Sequence, residues 1–290
     1  MTPLRQRMIE DLQLRGLSER TQAMYGRAVR QLAEHDHKSP DRITEEELRD
    51  YFLDLTHVKH DSRSARTIAR CGIKFFSEHT LPQAWTTLTF VRPPREKKLP
   101  VILSITEVRT LLAHLKRPRY RVCLTTISAC GLRLQEGTHL QVTAIDAARL
   151  RIHVRQGKGA KDRYVPLPQR TLPLLRSYWV THRNPVWIFP APGRAGTDMS
   201  TATQPMPRSS VHDAFRAALK ASGLPKRAAV HTLRHSWATP RRDAGVNLRL
   251  IQASLGHASP STTSVYTHLT VKAHEMAAAS INRLREDLSW

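Results

Sequence analysis

The ten residues Val91 to Pro100, which read VRPPREKKLP, limit this chain more than any other stretch. Adjacent prolines fix φ and lack the N–H that a helix or a central strand needs. Four cations leave no apolar face to bury, so the segment reads as an extended, polyproline-like linker. The chain is therefore expected to fold as two domains, residues 1–90 and 101–290, joined by a basic linker at 91–100. Its 290 residues are ample for a buried core.

The first domain reads as helical throughout. Leu4, Met8 and Leu12 stand at helical spacing, and Leu17-Ser18 looks like a turn and N-cap before a second helix over 20–34. Thr44 and Glu47 form a capping-box pattern ahead of Leu48, Phe52 and Leu55. A further helix over 63–79 carries Ile68, Ile73 and Phe76. No strand pattern interrupts these elements.

The second domain mixes periods. Ser104 and Glu107 open another capping-box helix, and residues 119–130 form a buried helix that ends near Gly131. Leu150, Ile152 and Val154 alternate with Arg151, His153 and Arg155, the pattern of a half-buried strand. Gly157-Lys158-Gly159 supplies a turn, and Tyr164 to Leu167 returns as the second arm of a hairpin. Residues 169–181 and 211–222 read as helices, 190–208 as a surface loop, and 271–288 as an amphipathic C-terminal helix. The fold class expected is mainly α with a small β-hairpin or sheet.

Charge narrows the ligand. The formal net charge is +22, and residues 101–290 hold +18 of it. That exceeds what solubility requires and points to a polyanion, most simply nucleic acid. Aromatic residues make up 6% and are not interleaved with the basic ones, which argues against base-stacking recognition of RNA. Three scattered cysteines fit a reducing compartment, no Cys/His spacing resembles a zinc site, and no apolar run reaches membrane-spanning length. The N-terminus lacks the apolar core of a signal peptide, so a cytoplasmic protein is expected, with no cofactor and no metal.

The chemistry gathers near the C-terminus. His231 and Arg234 are three apart and share a helical face. His257 follows Leu255-Gly256, a helix C-cap pattern, and Tyr266 comes nine residues later, after Ser259-Pro260 at a helix start. Attack on a phosphodiester needs cationic donors for the non-bridging oxygens and a nucleophilic hydroxyl, and this stretch holds both.

His231-x-x-Arg234, then Leu255-Gly256-His257, then Tyr266 resembles the C-terminal signature of the tyrosine recombinases, or phage integrases, of which the Xer-like site-specific recombinases are one group. Gly131-Leu132-Arg133, followed by Glu136, resembles that family's first arginine motif, and the run from Gly157 to Leu167 its β-hairpin lysine motif. The four motifs arrive in the family's order. The resemblance implies an N-terminal helical, SAM-like core-binding domain and a C-terminal catalytic domain. It implies DNA strand exchange through a 3′-phosphotyrosyl bond, without metal or ATP, on duplex sites with short inverted repeats, in a synaptic tetramer.

The same resemblance makes Tyr266 the nucleophile, and Arg133 and Arg234 the phosphate clamp. Lys158 becomes the acid for the leaving 5′ oxygen, with Lys161 as its local competitor. His231 manages a proton on the tyrosine, and His257 is a phosphate donor, while His235 and His268 are bystanders. Two other outcomes stay open: type IB topoisomerase-like chemistry, and a catalytically weakened relative that binds DNA. The second is raised by Pro240-Arg241-Arg242, where the family usually has His-Leu-Leu. Arg241 falls on the stripe of Leu233 and Trp237, and Pro240 either strains the helix or ends it near Thr239.

Overall fold

The computed structural model describes residues 2–81, 85–91, 100–155, 162–193, 198–243 and 245–256. The linker (apart from its two end residues), the hairpin tip with Lys158 and Lys161, and everything from His257 onward lie outside them. The chain divides into two compact units, Met1–Lys97 and Lys98–Trp290.

The N-terminal unit is built from α1 (Pro3–Leu14), α2 (Glu19–Asp36), α3 (Glu45–His57), α4 (Arg63–Phe75) and the short α5 (Thr87–Phe90). The starts are set by the residues that the sequence marks. Ser18 accepts from the Thr21 N–H, and Thr44 and Glu47 close a reciprocal capping box. Each such cap contributes about 1 kcal/mol. Met8, Leu12, Leu32, Leu48, Phe52 and Ile73 face one core with Tyr51, Phe76 and Trp85. The helix expected over 63–79 changes character inside that range: α4 ends at Phe75, and Phe76–Thr80 form a π turn that keeps Phe76 buried.

The C-terminal unit opens with α6 (Ile105–Ala113), again on a capping box, and α7 (Pro118–Cys130). The short α8 (Leu134–Thr138) follows. Three antiparallel strands come next in the order β1 (Ile145–Asp146), β2 (Arg151–Val154) and β3 (Arg163–Pro166). β2 and β3 pair Ile152 with Val165 and Val154 with Arg163. Helices α9 (Thr171–Val180), α10 (Arg208–Ala221), α11 (Val230–Asp243) and α12 (Leu248–Leu255) complete the described part. A single core gathers Leu111, Cys123, Ile127, Ile152, Val165 and Phe215. None of the described helices is long and apolar enough to cross a membrane.

Two further expectations change. The strand begins at Arg151, because Leu150 takes φ +47 in the turn that brings β1 to β2. The two-residue β1 is too short to show a period in sequence. The stretch 190–208 is more than surface loop. Met206 is 1% exposed, and Asn184 donates to the carbonyls of Met199, Ser200 and Ala202 at 2.9, 3.1 and 3.0 Å.

Pro240 lies inside α11, which runs on to Asp243 rather than stopping at Thr239. Arg241 meets neither bulk solvent alone nor an apolar wall. Its guanidinium stands 4.0 Å from the Trp237 ring centroid and donates to the Trp237 and Ala129 carbonyls at 2.9 and 3.3 Å. The stripe accepts a cation because an aromatic face and two carbonyls replace its water.

Candidate active site

The site is assembled where five element ends converge. α7 ends on Gly131 at φ +64, a left-handed cap that costs other residues dearly. A Cβ on Gly131 would lie 2.8 Å from Trp237 Cδ2, so the position is closed by packing as well as by its dihedral. Two residues on, Arg133 is the N-cap of α8. Glu136 reaches back to accept from the Arg133 backbone N–H at 2.8 Å and from its Nη1 at 2.8 Å. One carboxylate thus caps a helix and orients a guanidinium.

Arg163, the first residue of β3, meets the same carboxylate with a two-pronged contact. Nη1 donates to Oε1 at 2.9 Å, Nη2 to Oε2 at 2.6 Å, and Nε to the Ser254 carbonyl at 2.9 Å. Arg234, on α11, stands 3.9 Å from Glu136 and donates to the Gly131 carbonyl at 2.6 Å and to that of Leu255. Arg133 Nη2 donates to the Gly256 carbonyl at 3.0 Å. Gly256 itself is the left-handed cap of α12, at φ +61.

Three guanidiniums therefore surround one carboxylate. Burial pushes the Glu136 carboxyl up, but the hydrogen bonds and charge of Arg163, with those of Arg133, outweigh it and hold the pKa at about 2. The group is ionised at any physiological pH, and the cluster keeps a surplus of positive charge. Access is graded: the Arg133 side chain is 22% exposed, that of Arg163 9% and that of Arg234 1%. An anion approaching this surface meets Arg133 first, with Arg234 supporting from beneath.

His231 sits in the first turn of α11, its ring 5.0 Å from that of His235 and edge-on to it. His231 is exposed, yet it loses part of its hydration beside the cluster. That partial burial lowers its pKa, Arg234 and Arg133 lower it further, and Glu136 opposes them. His235 is pulled down to about 4 by burial, then by His231 and Arg234. Both rings are uncharged near neutral pH.

Of the six site residues read from the sequence, the structure brings Arg133, His231 and Arg234 together around Glu136. Lys158, His257 and Tyr266 lie outside the described residues. Even so, the carbonyl that Arg133 holds belongs to Gly256, the residue directly before His257. Arg163 was legible only as a member of the hairpin motif. One signal was available: it shares a strand face with Val165, which is 0% exposed, and an arginine on a core-facing position needs a carboxylate partner.

The phage integrase family profile matches residues 102–273, and that of the phage integrase N-terminal SAM-like domain matches residues 4–87. The relative y4qK of Sinorhizobium fredii, which carries an integrase/recombinase name, is 39% identical over 281 residues, 97% of this chain and 88% of that one. A tyrosine recombinase XerD of Halalkalibacterium halodurans is 29% identical over 272 residues, 88% and 89% of the two chains. Among solved structures, the XerA recombinase shares 28% identity at a TM-score of 0.52, over 96% of this chain and 98% of that one. The convergence of both arginine motifs on one carboxylate, with a family match over both parts of the chain, leads to one conclusion: this protein belongs to the phage integrase family, that of the tyrosine recombinases.

Proposed function

We propose that this recombinase cuts and rejoins DNA at specific sites with Tyr266 as its nucleophile. The phenolic oxygen attacks a backbone phosphorus, the bond to the 5′ oxygen breaks, and a 3′-phosphotyrosyl bond forms. A 5′-hydroxyl from a partner strand then reverses the attack. The energy of the broken ester is kept in the new one, so the two steps balance without a further reactant.

The observation that carries this reading is the cationic cluster around Glu136, with Arg133 as its accessible face. Arg133 and Arg234 hold the non-bridging oxygens, where a guanidinium offers paired donors that an ammonium cannot. His231, kept neutral by its lowered pKa, takes the tyrosine proton as attack proceeds. Lys158, on the connection between β2 and β3, gives a proton to the leaving 5′ oxygen. His257 donates to the phosphate.

The partner is double-stranded DNA with short inverted repeats, bound by residues 1–90 and 101–290 on either side of the 91–100 linker. Four copies join in the synaptic complex, and residues 271–288 belong to the catalytic domain. The net charge of +22 supports a polyanionic partner.

The test is Tyr266→Phe on a nicked suicide substrate, which traps the covalent complex. The variant binds DNA as the wild type does and forms no adduct. An adduct formed by the Phe variant would move the nucleophile to another residue.

A further inference from the structure

All three nitrogens of the Arg163 guanidinium are engaged by protein acceptors on other elements. Two prongs lie on Glu136 of α8, and the third lies on the Ser254 carbonyl in the last turn of α12. Its side chain is 9% exposed, so it does not present itself to a substrate. We propose that Arg163 is a positioning residue for DNA cleavage: it locks the carboxylate that orients Arg133 and ties the root of the lysine hairpin to the helix end that precedes His257.

Three observations carry this. First, both oxygens of Glu136 are shared, Oε1 between Arg133 and Arg163 and Oε2 between Arg163 and the Arg133 backbone N–H. Without Arg163 the carboxylate is free to turn toward Arg133 or Arg234, the latter already 3.9 Å away, and to compete with a phosphate for their donors. Second, Arg163 and Arg133 bond the same segment from two sides, at the carbonyls of Ser254 and Gly256. A Cβ on Gly256 would lie 2.9 Å from Arg163 Cδ, so the arginine stem packs flat against that glycine. Third, Arg163 begins β3, where the chain returns from the connection that carries Lys158. The bonds therefore join the lysine arm, the first arginine motif and the Leu-Gly-His motif through one side chain.

The inference rests on the cleavage reading of the preceding section, and its test separates the two. Arg163→Met, Arg163→Lys, Glu136→Gln and the Met/Gln double variant are compared with wild type and Tyr266→Phe. Single-turnover adduct formation is followed on the suicide substrate at a temperature where all are folded, and DNA affinity is measured at one salt concentration. Arg163→Met is expected to cleave about 10- to 100-fold more slowly, the scale of a misplaced but intact catalytic group, with affinity changed by no more than about 2-fold. Arg163→Lys restores one prong of three and falls between. The double variant loses less than the product of the two single losses, because both act through one contact.

A wild-type rate in Arg163→Met overturns the proposal, as does a parallel loss of affinity and rate, or a fully multiplicative double variant. Adduct formation by Tyr266→Phe overturns the nucleophile assignment alone. If wild type forms no adduct, the cleavage reading fails, and thermal unfolding of the same variants decides the contact. Melting shifts that are coupled support the Arg163–Glu136 lock, and additive shifts sink it.

Discussion

In the N-terminal unit, Arg30 pairs with Glu34 and Lys74 with Glu78 one turn along their helices. The side chains there are 56% and 64% exposed in the first pair, and 40% and 47% in the second. In the C-terminal unit, Arg163 and Arg234 are 9% and 1% exposed and bond carboxylate and carbonyl oxygens on several elements. Both regions are described by the word salt bridge, yet the physics differs. In water a pair gains little, because each charge was already solvated and two long side chains must be held still. Out of water each guanidinium has exchanged its hydration for fixed oxygens, and removing one partner strands the other. The exposed pairs decorate a fold that hydrophobic burial already holds. The buried set fixes where the ends of α7, α8, β3, α11 and α12 meet.

The largest effect that would break this contrast is on Arg133 and Arg234. Arg133→Lys keeps the charge but loses the fork that bonds Glu136 and Gly256 together. Cleavage is expected to slow by about 10²–10³, the scale of one lost transition-state donor, while DNA affinity changes little. Arg234→Lys should match that loss in rate and also lower the melting temperature, since Arg234 is 1% exposed and carries the Gly131 and Leu255 carbonyls. Wild-type cleavage by Arg133→Lys would remove it from the phosphate clamp.

A middle effect sharpens the contrast within α11. Pro240 removes the N–H that would bond the Ser236 carbonyl and crowds it, while Arg241 is stacked on Trp237 and bonded to two carbonyls. The two unusual residues should therefore act in opposite directions. Pro240→Ala is expected to stabilise by up to about 3 kcal/mol, the penalty of an interior proline. Arg241→Leu should bring no gain, because it deletes the cation over the indole and two bonds. Thermal unfolding of the two single variants reads this directly. A stabilised Arg241→Leu would mean that the cation is strained there.

What the sequence made legible follows the same division between local and distant causes. Capping boxes at Thr44 and Ser104, the left-handed caps at Gly131 and Gly256, and the Arg133–Glu136 pairing all lie within a few residues of their partners, and each is present. The place of Arg163 depends on Glu136 and Ser254, 27 and 91 residues away, and no local pattern reports such a contact. The same holds for Arg241. Its helical stripe correctly marked it as facing inward, but the accepting Ala129 carbonyl lies 112 residues away. Residues 190–208 read as loop because the described part is held by the Asn184 side chain and by single backbone bonds, Ala191 to Gln204 and Met206 to Phe189, rather than by a period.

The smallest effect belongs to the exposed pairs. Arg30→Ala leaves Glu34 fully hydrated on an open helix face, so no buried charge is stranded. Such one-turn pairs contribute about 0.3–0.5 kcal/mol, which is close to what a thermal melt resolves. Salt separates the readings. Raising ionic strength should abolish even that difference between Arg30→Ala and wild type, because exposed charges are screened over about 10 Å at 0.1 M. The same salt should leave the loss caused by Glu136→Gln largely intact, since Glu136 and its partners Arg163 and Arg234 are 10%, 9% and 1% exposed. If Arg30→Ala costs as much stability as Glu136→Gln at high salt, exposure is not what divides the two regions, and the contrast fails.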